Sequence, residues 1–312
     1  MAVFVPFANV PTAPPAIPSY GGRPALKPSI YGFLVALYIF IAGMAGSAQI
    51  VATLLAATGP AGAESVVTIG RIMAVAGAVA GAILLIVELH TPRRFYNMLR
   101  IFRVTSPMSI GSFVLSGFGF FSLLALLGQF LAWRWVPLAS GGIAALLGIV
   151  MTCYPAALLT ATSTPLWSSA PRLLAVRFGA ASMASGFAAL CLVALWMPQS
   201  LRLAGLLAAA ATVSVFVELI AALLARWAYA QAGVNGPMRG RSGLLLAAAE
   251  VLGFLALSLY LSALVFGEAA ALLMLAASVS VLIAGLTMRD AVLRAGNESA
   301  RRPEDYFRLA RA

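Results

Sequence analysis

Histidine occurs once in this chain, at His90, cysteine twice, at Cys153 and Cys191, and acidic residues only nine times. Each scarcity excludes a class of chemistry. One histidine cannot supply both axial ligands of a bis-histidine haem b, so only a His/Met site stays countable. Two cysteines cannot hold a four-cysteine iron–sulfur cluster, and no zinc constellation can be assembled from this set. Both thiols fall inside apolar runs, which leaves open only a bridge between neighbouring helices.

Charge is scarce as well. Charged residues make up 9% of the chain against 62% hydrophobic ones, and the mean hydropathy is +1.00. That balance lies well outside the soluble globular range. What the chain has instead is long apolar runs. A hydrocarbon core about 30 Å thick needs roughly 20 residues of helix. Eight runs meet that length, at about 30–57, 66–88, 108–132, 136–160, 173–196, 201–225, 243–266 and 268–288. The expected fold class is therefore an all-α membrane protein with eight transmembrane helices. Residues 1–29 lack the charged start and apolar block of a secretory signal. Their repeated prolines favour an extended strap along a partner or the membrane surface, and a disordered tail fits equally well.

The few charges are unevenly placed. If the N-terminus and every second loop share one face, seventeen of the twenty basic residues fall there, and only Arg71, Arg134 and Arg202 fall opposite. The positive-inside rule then puts both termini and the 89–107 loop in the cytoplasm. The net charge of +11 is a topology signal on this reading, with no basic surface left over for nucleic acid. Within that face the stretch ELHTPRRFYNMLRIFRVTSPMSIG, from Glu88 to Gly111, crowds His90, Arg93, Arg94, Arg100 and Arg103 between two membrane-length runs. Topology alone would explain the arginines, and so would a docking surface or redox site.

Intramembrane carboxylates are functional candidates by default, because each costs several kcal/mol unless paired, protonated or wet. Glu88, Glu218 and Glu250 are the three in or near apolar surroundings. Glu218 and Glu250 both fall toward the cytoplasmic half of their helices, where they could meet as an interhelical contact or as a proton path. Glu88 closes the second helix beside His90. In the fourth helix Pro155 removes one backbone hydrogen bond and predicts a kink, with the Tyr154 hydroxyl needing a partner. Pro165-Leu166-Trp167 looks like a helix stop with an interfacial aromatic anchor. Gly43, Gly46, Gly32 and Ser47 offer a small-residue packing face on the first helix, and Tyr31 and Tyr38, seven apart, share one side of it.

These residues resemble a family. Glu88, Leu89, Pro92, Arg94 and Phe95, then Asn97-Met98-Leu99 and Ser106-Pro107-Met108-Ser109 with Gly111, are similar to the second-helix exit of the NrfD/PsrC membrane subunits of polysulfide-reductase-type oxidoreductases. Tyr154-Pro155 through Pro165-Leu166-Trp167 resembles the fourth-helix element of that family, with Ala156 where glycine is common. Ala295-Gly296, Ser299-Ala300, Pro303 and Tyr306-Phe307 resemble its C-terminal signature. The resemblance spans the chain, although helices five to eight match only in general character.

The resemblance implies two four-helix bundles, residues 30–167 and 168–288, followed by a tail over 289–312. It implies a subunit without haem or iron–sulfur cluster of its own, in a bacterial cytoplasmic membrane. Such a subunit exchanges electrons between an iron–sulfur (ferredoxin-like) partner, itself joined to a catalytic subunit, and menaquinone or ubiquinone. Tyr38 and Tyr154 take positions near the quinone head group. Tyr38 is a tyrosine where some members have histidine, and His90, with Glu88, could supply the proton-active group. Glu218 and Glu250 would form a proton path, and Arg93, Arg94, Arg100 and Arg103 would dock the partner. Two rivals stand beside this reading. A secondary transporter would explain the glutamates and broken helices, yet no repeat relates helices one to four to helices five to eight. A purely structural anchor predicts that Tyr38 and Tyr154 are dispensable for quinone chemistry.

Overall fold

Among the described residues, eight apolar stretches become eight helices. The computed structural model describes residues 31–88, 100, 106–266 and 270–306. Among the described residues the spanning helices are α1 (Phe33–Thr58), α2 (Ala63–Glu88), α3 (Pro107–Phe130), α4 (Val136–Thr160), α5 (Pro171–Leu195), α6 (Leu201–Gln231), α7 (Arg241–Val265) and α8 (Ala270–Ala300). No strand is present among these residues. Gly59 ends α1 in the left-handed conformation, φ 58°, its N–H donating to Leu55 O, a conformation glycine adopts without strain. Pro107 opens α3, where a missing N–H costs nothing, and the Ser106 hydroxyl accepts from Ser109 N.

Two helices outrun their apolar cores. α6 continues to Gln231 and α8 to Ala300, so the tail expected from residue 289 begins only at Arg301. Hydropathy marks the part of a helix that lies in hydrocarbon, whereas a helix continues into water for as long as its residues permit. In α8 the polar extension is helped by the i,i+4 pair of Asp290 and Arg294 at 2.7 Å.

Helices α1 to α4 pack as one bundle, with α1 against α2 and α4, and α3 against α4 and α2. Helices α5 to α8 form the other, with α5 against α6 and α8, and α7 against α8 and α6. The bundles meet where α1 and α4 lie on α5 and where α1 touches α8. Small residues bring these backbones close. A Cβ on Gly46 would fall 2.9 Å from Gly148 O, and one on Gly43 would run into the Ser182 side chain. A Cβ on Gly32, expected on the same face, would meet nothing within 4 Å among the described residues.

The aromatic belt is drawn from different residues than the sequence suggested. Trp133, Trp135, Trp196 and Trp227 lie exposed near helix ends, as interfacial anchors do. Trp167 does not: it is wholly buried, donates its indole N–H to Val292 O at 3.1 Å, and rests where Gly296 has no side chain. Its short helix, Pro165–Ser169, folds inward between the bundles, because an indole can be buried once its N–H has an acceptor.

Candidate functional site

The face carrying α1's start, α2's end, α3's start and α4's end gathers the tyrosines. Tyr38, one and a half turns into α1, is buried, its ring within 3.4 Å of where a Cβ on Gly81 of α2 would stand. Tyr154, on α4, lies over the first turn of α3. Its hydroxyl donates to Pro107 O at 2.6 Å, and a Cβ on Gly111 would collide with its ring. Gly111 thus exists to admit Tyr154, which gives a physical reason for that glycine in the motif. Tyr154 lies in electrostatic range of both Tyr38 and Tyr31, and Tyr31 in turn packs against Trp167 at 6.2 Å between ring centroids. The helix continues through Pro155.

Beside Tyr154 an open cleft of about 700 Å³ runs between α3, α4 and the start of α5. Its walls are mainly apolar, from Ile110, Ile149, Val150 and Ala157, and its polar lining comes from Tyr154, Thr160, Cys153 and Arg172. Size and polarity suit an amphiphile with an apolar tail and a small polar head. Glu88 ends α2, half-buried, on the same face. His90, Arg93, Arg94 and Arg103 lie outside the described residues, and Arg100 is exposed.

The second bundle holds a buried ion cluster. Arg177 of α5, 2% exposed, donates from Nε to Glu218 Oε1 of α6 at 2.9 Å and from Nη2 to Glu250 Oε1 of α7 at 3.2 Å. Arg226 of α6 grips Glu250 as well, Nη2 to Oε2 at 2.7 Å, and reaches partly into the open. Glu218 also borders a cavity of about 20 Å³ lined by Gly285 and Met288 of α8, room for about one water molecule. Nearby, Arg289 is fully buried. Its guanidinium donates to Gly285 O and Ser182 Oγ and stacks over Phe40 at 5.4 Å. It has no carboxylate partner among the described residues.

Glu218 and Glu250 therefore do meet, through an arginine that the charge count had assigned to a loop. Arg177 and Arg289 are interior cations rather than cytoplasmic loop charges, and Arg71 is one too. Arg71 donates to Gln129 Oε1 at 2.7 Å and to the carbonyls of Ala125 and Pro137, tying the end of α3 to α2 and α4. Their burial leaves the asymmetry between the two faces in place. The signal for Arg177 was available in the acids: two intramembrane carboxylates need partners, and few cations sit at their depth. Nothing in the sequence marked Arg289, because its partners are a carbonyl, a hydroxyl and a ring.

Among the described residues no three His, Cys, Asp or Glu side chains converge as a metal site. No curated protein matches the chain. A family model described as polysulphide reductase, NrfD, matches residues 24–299.

Proposed function

The chain belongs to the polysulphide reductase NrfD family, and from that membership we propose that it is the haem-free membrane subunit of a multi-subunit oxidoreductase. It passes electrons between an iron–sulfur subunit and the membrane quinone pool. The observation that carries the reading is the apolar cleft with Tyr154 in its wall, on the face where the family motifs converge. A bound quinone would supply the two-electron, two-proton couple that this chain's own side chains lack.

The residues then divide the remaining work. The cleft holds the isoprenoid tail against Ile110, Ile149 and Val150 and excludes water from the head. Tyr154 spends its only hydrogen on Pro107 O, an atom that can only accept, so toward a carrier it offers lone pairs until that bond opens. That arrangement matches the hydroxyl of a reduced quinol. Tyr38 lies behind it as a second hydroxyl, and Glu88 and His90 exchange protons with the aqueous face. The arginines of the 89–105 stretch, with Arg100 exposed, meet an acidic surface on the electron-transfer partner.

The Arg177–Glu218–Glu250–Arg226 cluster is the proton path on this reading. It leads from a part-exposed arginine to a carboxylate beside a water-sized cavity in the second bundle. A proton can pass through either carboxylate only when its bond to Arg177 opens, which makes Arg177 the gate. A buried ion pair alone would serve packing equally well, so the test must separate the two. With Glu218→Gln or Glu250→Gln, quinone turnover should persist while proton uptake into vesicles is lost. Unchanged proton uptake would leave the cluster a structural brace.

The experiment for the function as a whole is purification of the tagged protein in mild detergent. Co-purifying iron–sulfur absorbance and extractable quinone are expected. A lone, colourless, quinone-free protein that transports a solute in vesicles would replace this reading with a transporter.

A further inference from the structure

At the end of the second bundle that shares a face with the family motifs, α7 begins and α8 leaves the membrane, and between them opens a cleft of about 570 Å³. It lies apart from the quinone cleft, and neither electron nor proton transfer calls on it. Arg241 of α7 stands on one side, and Arg294 of α8 with Arg301, just past its end, on the other. Arg301 follows the last residue of α8, seven positions and about two turns after Arg294, which brings the two to one side. Two carboxylates are close by, and each has a partner: Glu298 takes the Ser242 hydroxyl at 2.6 Å, and Asp290 takes Arg294 at 2.7 Å. Arg241 and Arg301 form no ion pair among the described residues, and both are exposed.

Polarity in this cleft is layered. The guanidiniums sit at the rim, whereas Leu244 and Leu245 lie about one turn deeper along α7 on the same wall. Leu244 is 72% exposed. The depth agrees with that order. At 31 residues α8 is about 46 Å long, more than the roughly 30 Å of hydrocarbon it must cross. Arg294, about 36 Å along α8, therefore stands at the level of the lipid headgroups, and the long side chain of Arg301 reaches back toward it from just past the helix end. A soluble anion would need the arginines and have no use for the leucines. A phospholipid uses both.

We propose that this cleft binds an anionic diacyl phospholipid, its phosphate held by Arg241, Arg294 and Arg301 and an acyl chain lying along Leu244 and Leu245. Arginine suits the task because its planar fork matches two phosphate oxygens at once. Basic pockets between helices at a membrane face hold acidic headgroups in the same manner. The bound lipid cements α7 to α8 across this cleft.

The test is native mass spectrometry of the delipidated full-length protein, titrated in turn with phosphatidylglycerol, phosphatidylcholine and soluble glycerol phosphate. Phosphatidylglycerol should be retained in preference to phosphatidylcholine. Arg241→Gln with Arg301→Gln should cut that retention at least about tenfold while leaving phosphatidylcholine unchanged. Leu244→Ser, a change at a lipid-facing position that leaves the charges intact, should weaken retention of the diacyl lipid alone. Equal retention by wild type and the arginine variant overturns the proposal. So does equal binding of both lipids, or glycerol phosphate binding as tightly as the diacyl lipid, which would mark a soluble-anion site. Should the double variant fail to fold, Arg241→Gln alone and Leu244→Ser carry the same comparison.

Discussion

Arg177 shows how one side chain can change meaning between sequence and structure. Counted along the chain it is one more basic residue near a loop; in space it is the hub between two intramembrane carboxylates. Taking one partner from a buried ion pair leaves the rest uncompensated, at a cost of about 3–5 kcal/mol. Arg177→Ala should therefore lower stability by that order. Thermal loss of helical signal in detergent would show it, and Arg177→Lys should recover part of the loss, since lysine keeps the charge but not the two-armed geometry. Gly111 makes the opposite point, that an absent side chain can position a present one. The Tyr154 ring fills the space where a Cβ would be. Gly111→Ala should thus displace the ring, break the bond to Pro107 O and reduce quinone turnover in the assembled complex as far as Tyr154→Phe does. Full activity in both variants would favour the structural anchor over the quinone-reactive subunit.

Among elements, the contact of α1 with α4 depends on two glycines facing each other. A Cβ on either Gly46 or Gly148 would run into the other's backbone, so no larger residue fits without moving a helix. Gly46→Val should cost roughly 1–3 kcal/mol by overpacking, measurable as a fall in thermal midpoint. Gly142→Ala, whose added Cβ would meet nothing within 4 Å among the described residues, should show no such overpacking loss and serves as the control. The Pro165–Ser169 helix illustrates what pattern alone leaves undecided. A tryptophan after a proline at the end of an apolar run fits an interfacial anchor as well as a plug. The acceptor that draws Trp167 inward, Val292 O, lies 125 residues away. Local reasoning read a helix stop at Pro165-Leu166-Trp167, whereas the spanning helix ends at Thr160 and Pro165 opens a short helix, and a distant carbonyl chose the direction of the ring. The C-terminal signature gains its reason from the same contact. Gly296 is needed because the indole occupies its side-chain space, and Asn297, one residue on, donates to Tyr31 O and ties the start of α1 to α8.

For the whole molecule, the distribution of charge is the property that matters most. The face with the family motifs is the basic one even after Arg177 and Arg289 are set aside as interior residues. Its cytoplasmic placement is a prediction. A C-terminal green fluorescent protein fusion should glow, and an alkaline phosphatase fusion at the same position should be inactive. The reverse result would put the docking surface and the quinone cleft on the outer face.

Helix number, membrane class and family were legible in the sequence because each rests on a local quantity. The length of an apolar run against bilayer thickness fixes a spanning helix wherever it packs, and a motif is a string of neighbours. The scarcity of histidine and cysteine likewise narrowed the chemistry without any coordinates. Tertiary structure decided which charges are interior, which tryptophan is buried, and that Glu218 and Glu250 share one arginine. Each of those outcomes depends on a partner on another helix. In a membrane interior a polar group is placed by what can pair with it across the bundle, and a single strand of sequence does not carry that distance.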